Sequence, residues 1–218
     1  GATRDPLPAL TNPARTPAAG ATFPPGEEPV TVVTLDGETV AYPRSVLTYH
    51  GVVNDVIAGV PVAVWHDPIS GSTAVFKRRV RGEVREFRLA GLLLHGAAAL
   101  YDARTMSLVS PLDGGAVTGP LSGTRFEFVP FRVMTFGDYR DAYKNGETLA
   151  KPRGTPFDSS INPFADFHAD RNTVFTQATD DTRLHPRTAG LGIEAEGSAM
   201  FVPFGSMTVE TKTYLTPA

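Results

Sequence analysis

Val30-Thr31-Val32-Val33-Thr34-Leu35-Asp36-Gly37-Glu38-Thr39-Val40-Ala41-Tyr42-Pro43 decides the fold class of this chain. Its β-branched residues suit a pleated strand. Asp36-Gly37 fits a two-residue type I′ turn, which needs positive φ at both central positions. Glu38 to Tyr42 is then the return strand. Pro43 has the fixed φ that opens a helix, so a short helix is expected from Pro43 to Tyr49.

The same pattern continues outward from this hairpin. Val52-Val53 and Val56-Ile57 flank Asn54-Asp55, which reads as an Asx-turn. Gly59 turns the chain into Val60-Pro61-Val62-Ala63-Val64-Trp65. Thr73–Arg79 and Val84–Leu89 form a second hairpin around Arg81-Gly82, and Leu92–Tyr101 reads as a buried strand or a short helix. Thr124–Val129 alternates as a strand with one wet face, and Gly137–Gly146 has helical spacing. Much later, Ile193-Glu194-Ala195-Glu196-Gly197-Ser198-Ala199-Met200-Phe201-Val202-Pro203 echoes Val33–Pro43: strand, acidic-Gly turn, strand, proline. A hairpin alone is marginal. The expected fold is therefore mainly β, with antiparallel hairpins forming a barrel or sandwich, an internal pseudo-repeat and few short helices. Residues 1–29, with seven prolines from Pro6 to Pro29, read as a proline-rich extended arm. Residues 30–218 read as one β-rich domain. The Pro/Asp-rich loop 150–172 is long enough to have a function or a docking role.

Composition removes several classes of function. Lys+Arg 20 against Asp+Glu 23 leaves no general basic footprint for nucleic acid. The densest basic run, Lys77-Arg78-Arg79-Val80-Arg81, reads as the solvated end of a hairpin. There is no cysteine, so disulfides, thiol catalysis, thiolate metal sites and iron–sulfur clusters are excluded. No apolar stretch approaches a bilayer span. The chain starts with glycine, which fits a removed leader or a cut chain.

Taken together, Tyr42-Pro43, His50, Val53-Asn54-Asp55, Gly59-Val60-Pro61-Val62-Ala63-Val64, Pro68, Gly71, Phe76, Tyr101-Asp102 and Gly119-Pro120-Leu121-Ser122-Gly123-Thr124 resemble the exported bacterial and archaeal family known as domain of unknown function 3179. Leu184, Pro186 and Gly192 extend the resemblance. It implies an exported location and brings no reaction with it. That family usually carries Cys-Pro-Leu-Cys-Gly where this chain reads Asp67-Pro68-Ile69-Ser70-Gly71, so a thiol-based site would be lost here.

The candidate chemistry gathers at the same corner. His50, His66, Asp67 and His95 together would suit zinc or copper. His66 and Asp67, as strand neighbours, point to opposite faces unless the strand has broken. In the alternative, His50 bonds a buried backbone group and Asp67 caps the turn before Pro68. Ser70 or Ser72 beside His66 would suit a serine hydrolase, but the Gly-x-Ser-x-Gly elbow is missing, and the hydroxyls equally suit an ST-turn. Asp113-Gly114-Gly115 lacks nucleotide-binding spacing. Asp166, His168, Asp170, Asp180 and Asp181 lack EF-hand spacing. The arm, the loop 150–172 and Phe164, Phe167 and Phe175 favour a docking subunit. The expectation is a non-catalytic exported β domain, binding or structural, contacting a protein partner or its own copies through arm and loop, with no cofactor. A divalent-metal domain or metalloenzyme is the alternative.

Overall fold

The computed structural model describes residues 4–153, 157–158, 161–170, 181–195 and 197–207. In chain order the strands are β1 (Leu10–Thr11), β2 (Arg15–Pro17), β3 (Pro29–Leu35) and β4 (Glu38–Pro43), then helix α1 (Arg44–His50). Next come β5 (Val52–Ile57), β6 (Val60–Asp67), β7 (Ser72–Lys77), β8 (Arg79–Val80), β9 (Glu83–Val84), β10 (Phe87–Leu94), β11 (Ala97–Asp102), β12 (Leu108–Ser110) and β13 (Gly115–Ala116). The chain continues through β14 (Phe131–Thr135), α2 (Phe136–Ala142), β15 (Glu147–Leu149), α3 (Ala165–Ala169), β16 (Gly190–Ala195) and β17 (Ser198–Pro203), and ends the described part in a 3-10 turn, Phe204–Ser206. The chain divides into two compact units, 1–169 and 170–218.

The first unit is built from sheets in layers. The orders are β14-β3-β4-β15-β2, β1-β5-β6-β7 and β10-β11-β12-β13, and among the described residues none closes into a barrel. The β5–β6–β7 sheet is the middle layer because both of its faces are apolar. Val53, Ile57, Val62, Val64 and Val75 face one way, against Val33, Val40, Tyr42 and Leu47. Val52, Ala63, Trp65, Ala74 and Phe76 face the other way, against Phe87, Leu89, Leu100 and Val109. Period-2 alternation thus supplies two cores from one strand set, which is why Val62 to Trp65 reads as an unbroken apolar run. Helix α2 covers the outer face of β3–β4 with Phe136 and Tyr139.

Several local readings change in three dimensions: the hairpin expected over Thr73–Arg79 and Val84–Leu89 shrinks to β8 and β9 around Arg81-Gly82, with β7 paired to β6 and β10 to β11. Asn54-Asp55 is not a turn but the middle of β5, pairing with Ala63 and Val62. Its polar side chains survive burial because each has distant partners. Asn54 accepts from the Phe87 amide at 2.8 Å and donates to the Phe87 carbonyl at 2.9 Å, joining two layers. Asp55 accepts from the Tyr42 hydroxyl at 2.8 Å and pairs with Arg15 at 2.7 Å. The stretch Leu92–Tyr101 is neither one strand nor a helix. It is a hairpin that turns at His95-Gly96, with φ of +51 and +81. Of the 1–29 stretch, whose composition disfavours ladders, two short pieces enter them, β1 beside β5 and β2 beside β15. Both are edge strands, where a proline costs least. The strict alternation expected at Thr124–Val129 breaks in the structure: Phe126 and Val129, three apart, are buried while Phe128 is 49% exposed, and the segment pairs only through isolated bridges.

The second unit holds the echo of the first hairpin. β16 and β17 pair with Ile193 opposite Met200 and Ala195 opposite Ser198. Among the described residues no helix is long and apolar enough to cross a membrane.

Candidate functional site

The corner between β6 and β7 is built as a joint. Asp67 pairs with Ser72 and His66 with Thr73, leaving Pro68 to Gly71 as the connecting turn. The Asp67 side chain is buried. One of its oxygens accepts from the Ile69 amide at 3.1 Å. The other accepts from the Ser70 amide at 3.1 Å and the Ala98 amide of β11 at 3.1 Å. Three backbone donors occupy most of what a carboxylate can accept. The Ala98 bond also crosses to the neighbouring sheet. Ser70 Oγ accepts from the Ser72 amide at 3.3 Å, the ST-turn role rather than a nucleophile's.

His66 Nδ1 lies 3.0 Å from the Ser72 carbonyl and 3.1 Å from Thr73 Oγ1. A carbonyl needs a donor, so the proton fits on Nδ1 and leaves Nε2 as a bare lone pair. Burial first, then the positive charge of Arg44, pushes the pKa down to about 3. The ring therefore stays neutral at physiological pH. Among the described residues no hydrogen bond joins it to the hydroxyl of Ser70 or Ser72, so no nucleophile–base pair forms.

The other sequence candidates lie elsewhere. His50 ends α1, fully buried, with Nδ1 2.6 Å from the Pro8 carbonyl. Its ring stacks on Phe157 at 5.8 Å and meets the Tyr49 ring at 5.1 Å. Burial lowers its pKa, although the carbonyl contact opposes the shift. Its Nε2 is buried with no partner among the described residues. His95 stands at the exposed tip of the β10–β11 hairpin, 3.3 Å from an Asp113 oxygen. His50, His66, Asp67 and His95 are thus not one cluster, and among the described residues no three histidine or carboxylate side chains gather as a metal set. Of the late candidates, His168 on α3 reaches back to the Pro68 carbonyl at 2.8 Å. Asp181 pairs with Arg183 at 2.6 Å, and the guanidinium holds its carboxyl down at about 2. Asp180 and Phe175 lie outside the described residues.

Two polar constructions escaped the sequence reading. The first is Arg78, read as part of a solvated basic run. Its side chain is buried and its guanidinium binds the carbonyls of Asp55 at 3.2 Å, Val62 at 3.1 Å and Arg85 at 2.7 Å. Strand alternation sends Arg78 inward while Lys77 and Arg79 face out, a signal available at period 2 but masked by charge. The second is Arg15, from the arm, which pairs with both Asp55 and Glu38. Burial followed by the Asp55 charge raises the Tyr42 pKa well above its ordinary value, so that hydroxyl remains a donor. No local pattern around residue 15 announces a partner forty positions away.

The family described as protein of unknown function (DUF3179) matches residues 4–215 of the 218. No curated protein and no solved structure matches. The chain belongs to the DUF3179 family.

Proposed function

We propose that this DUF3179 member is a non-catalytic β domain that works by binding, as an accessory or structural subunit of an assembly outside the cytoplasm. One observation carries the reading: the Asp67 carboxylate is committed to three backbone amides, on Ile69, Ser70 and Ala98. At the bend where resembling proteins carry two thiols, this chain has a strut between two sheets. A carboxylate already held by three backbone donors gains little by leaving them for a substrate or an ion. Export is what the family resemblance implies, and a cysteine-free composition is compatible with it.

Partner contact falls to the surface the fold leaves open. Ile161, in the 150–172 loop, is 62% exposed. Phe131 and Val133 stand out from β14, an edge strand. Parts of the arm between its two short strands complete this surface. The test is cross-linking with mass spectrometry, together with sedimentation, on protein from its native source. Cross-links from 150–172 or the arm to another polypeptide, on a particle heavier than 23.3 kDa, are expected. Stoichiometric zinc or copper in untagged protein, lost in His50→Ala, would overturn the reading. So would fluorophosphonate labelling of Ser70.

A further inference from the structure

The outward half of the basic run lines a cavity of about 470 Å³. It opens between Gly59 and the start of β6 at Val60–Pro61, the residues Lys77, Arg79, Val80 and Arg81, and the segment 124–127. Lys77, Arg79, Arg81 and Arg125 all line it, and Glu127 is the carboxylate among the lining residues. Four cations against one anion leave three positive charges unbalanced, in a chain whose formal net charge is -3.

The way those cations are held is the decisive feature. Lys77 pairs with Glu127 at 2.6 Å. The three arginines are held by neutral acceptors instead. Arg81 donates to the Pro120 carbonyl at 3.0 Å and to Thr124 Oγ1 at 3.0 Å. Arg125 donates to the Asp113 carbonyl at 2.6 Å, and Arg79 to the Gly82 carbonyl at 3.3 Å. Neutral acceptors fix a guanidinium in place without cancelling its charge, and each fork keeps unused N–H donors. Positive charge inside a concave low-dielectric wall focuses the field on whatever enters. The floor differs in kind: Pro61, Val80 and Phe126 are buried and apolar.

We infer that this cleft binds a small organic anion, a phosphate or sulfate group carried on an apolar body. The oxyanion sits among the arginine forks, which match its geometry in pairs of hydrogen bonds. The apolar part lies on Pro61, Val80 and Phe126. The inference is independent of the proposed subunit role, because none of these residues belongs to the Asp67 joint.

The test is calorimetric titration of the whole chain with 4-nitrophenyl phosphate, 4-nitrophenyl sulfate and, as the neutral control, 4-nitrophenyl glucoside. Saturable binding of at least one anion, weakening as salt is added, is expected. The neutral probe binds at least about tenfold more weakly. A phosphate that tightens as pH rises through about 6 identifies the dianion as the ligand group; a flat response with sulfate preferred identifies the monoanion. Arg79→Gln, at an exposed position, weakens binding about threefold to tenfold. Glu127→Gln frees Lys77 and tightens binding about threefold, a gain that misfolding cannot imitate. Absence of saturation by about 10 mM of either anion, or affinity unmoved by both Arg79→Gln and Glu127→Gln, overturns the inference.

Discussion

The β3–β4 and β16–β17 hairpins share a backbone and differ in everything around it. In the first, Val33 faces Val40 and Leu35 faces Glu38; in the second, Ile193 faces Met200 and Ala195 faces Ser198. Gly37 and Gly197 turn with φ of +86 and +77. Pro43 leaves the first hairpin at φ -61, ψ 138 into a helix, and Pro203 leaves the second at φ -60, ψ 134 into a 3-10 turn. Yet Val33 is 0% exposed and Ile193 40%. On the opposite face, Val30 and Ala41 pack under α2, while their counterparts are Gly190 and a 46% exposed Phe201. Turn chemistry and register are settled within a dozen residues. Burial is settled by what arrives from elsewhere.

The largest effect that would break this contrast is a charge placed at equivalent positions. Val33→Asp leaves an unpaired carboxylate in the core and costs about 4 kcal/mol or more, enough to prevent folding. Ile193→Asp costs under about 1 kcal/mol. Urea unfolding reads both, with fluorescence of the only tryptophan, Trp65, reporting the first unit and amide exchange the second. Equal losses would show that the hairpins, not their neighbours, set stability.

Asp67→Ala sharpens the same point, since it deletes a long-range partner while leaving the β6–β7 turn sequence otherwise intact. Three amides lose their acceptor, at about 2–3 kcal/mol. A loss under about 0.5 kcal/mol by denaturant titration would remove the strut from the account.

Acidification offers a third contrast. Folded His66 stays neutral down to about 3, whereas the unfolded chain takes a proton near 6.5. The unfolded state therefore binds more protons between those values, so stability is whole above 6.5 and declines as pH falls. Between pH 7 and pH 5 the loss is about 2 kcal/mol. His50, also held low by burial, acts in the same direction. His66→Gln should flatten most of this slope in melts across pH. An unchanged slope would mean the ring is solvated.

The smallest effect is the one the hairpins should share. Gly37→Ala and Gly197→Ala each force a β-carbon into positive φ, at about 1 kcal/mol apiece. Neither glycine has a neighbour within reach of an added Cβ, so backbone conformation alone is tested. Amide exchange across each turn compares them, and a large difference would mean the turns are not equivalent.

Legibility in the sequence follows the same division. Asp36-Gly37, Gly59 and Arg81-Gly82 were readable because a turn's chemistry lies in adjacent residues. His95-Gly96 has the same chemistry but hides between Leu92–Leu94 and Ala97–Leu100, where apolar residues on both sides look continuous. Asn54-Asp55 misleads for the opposite reason. These residues favour turns until distant groups supply their hydrogen bonds, and Phe87, Tyr42 and Arg15 do so here. At the candidate corner, the capping role of Asp67 and the ST-turn at Ser70 were visible locally. The reach to Ala98 was not, nor was the scatter of His50 and His95, because ring-to-ring distances are a property of layers rather than strings.

Asn54 carries a mechanical consequence. Its amide grips both the N–H and the C=O of Phe87, so the two layers meet there as if one side chain were a piece of main chain. A slip of one residue would offer Glu86 or Arg88, whose peptide groups aim the other way, and both bonds would fail together instead of re-forming one notch along. The middle layer is riveted to its neighbour at that spot. The Asp67 carboxylate pins the same two sheets a second time, on the Ala98 amide, so sliding of one layer past the other is opposed at two separate points.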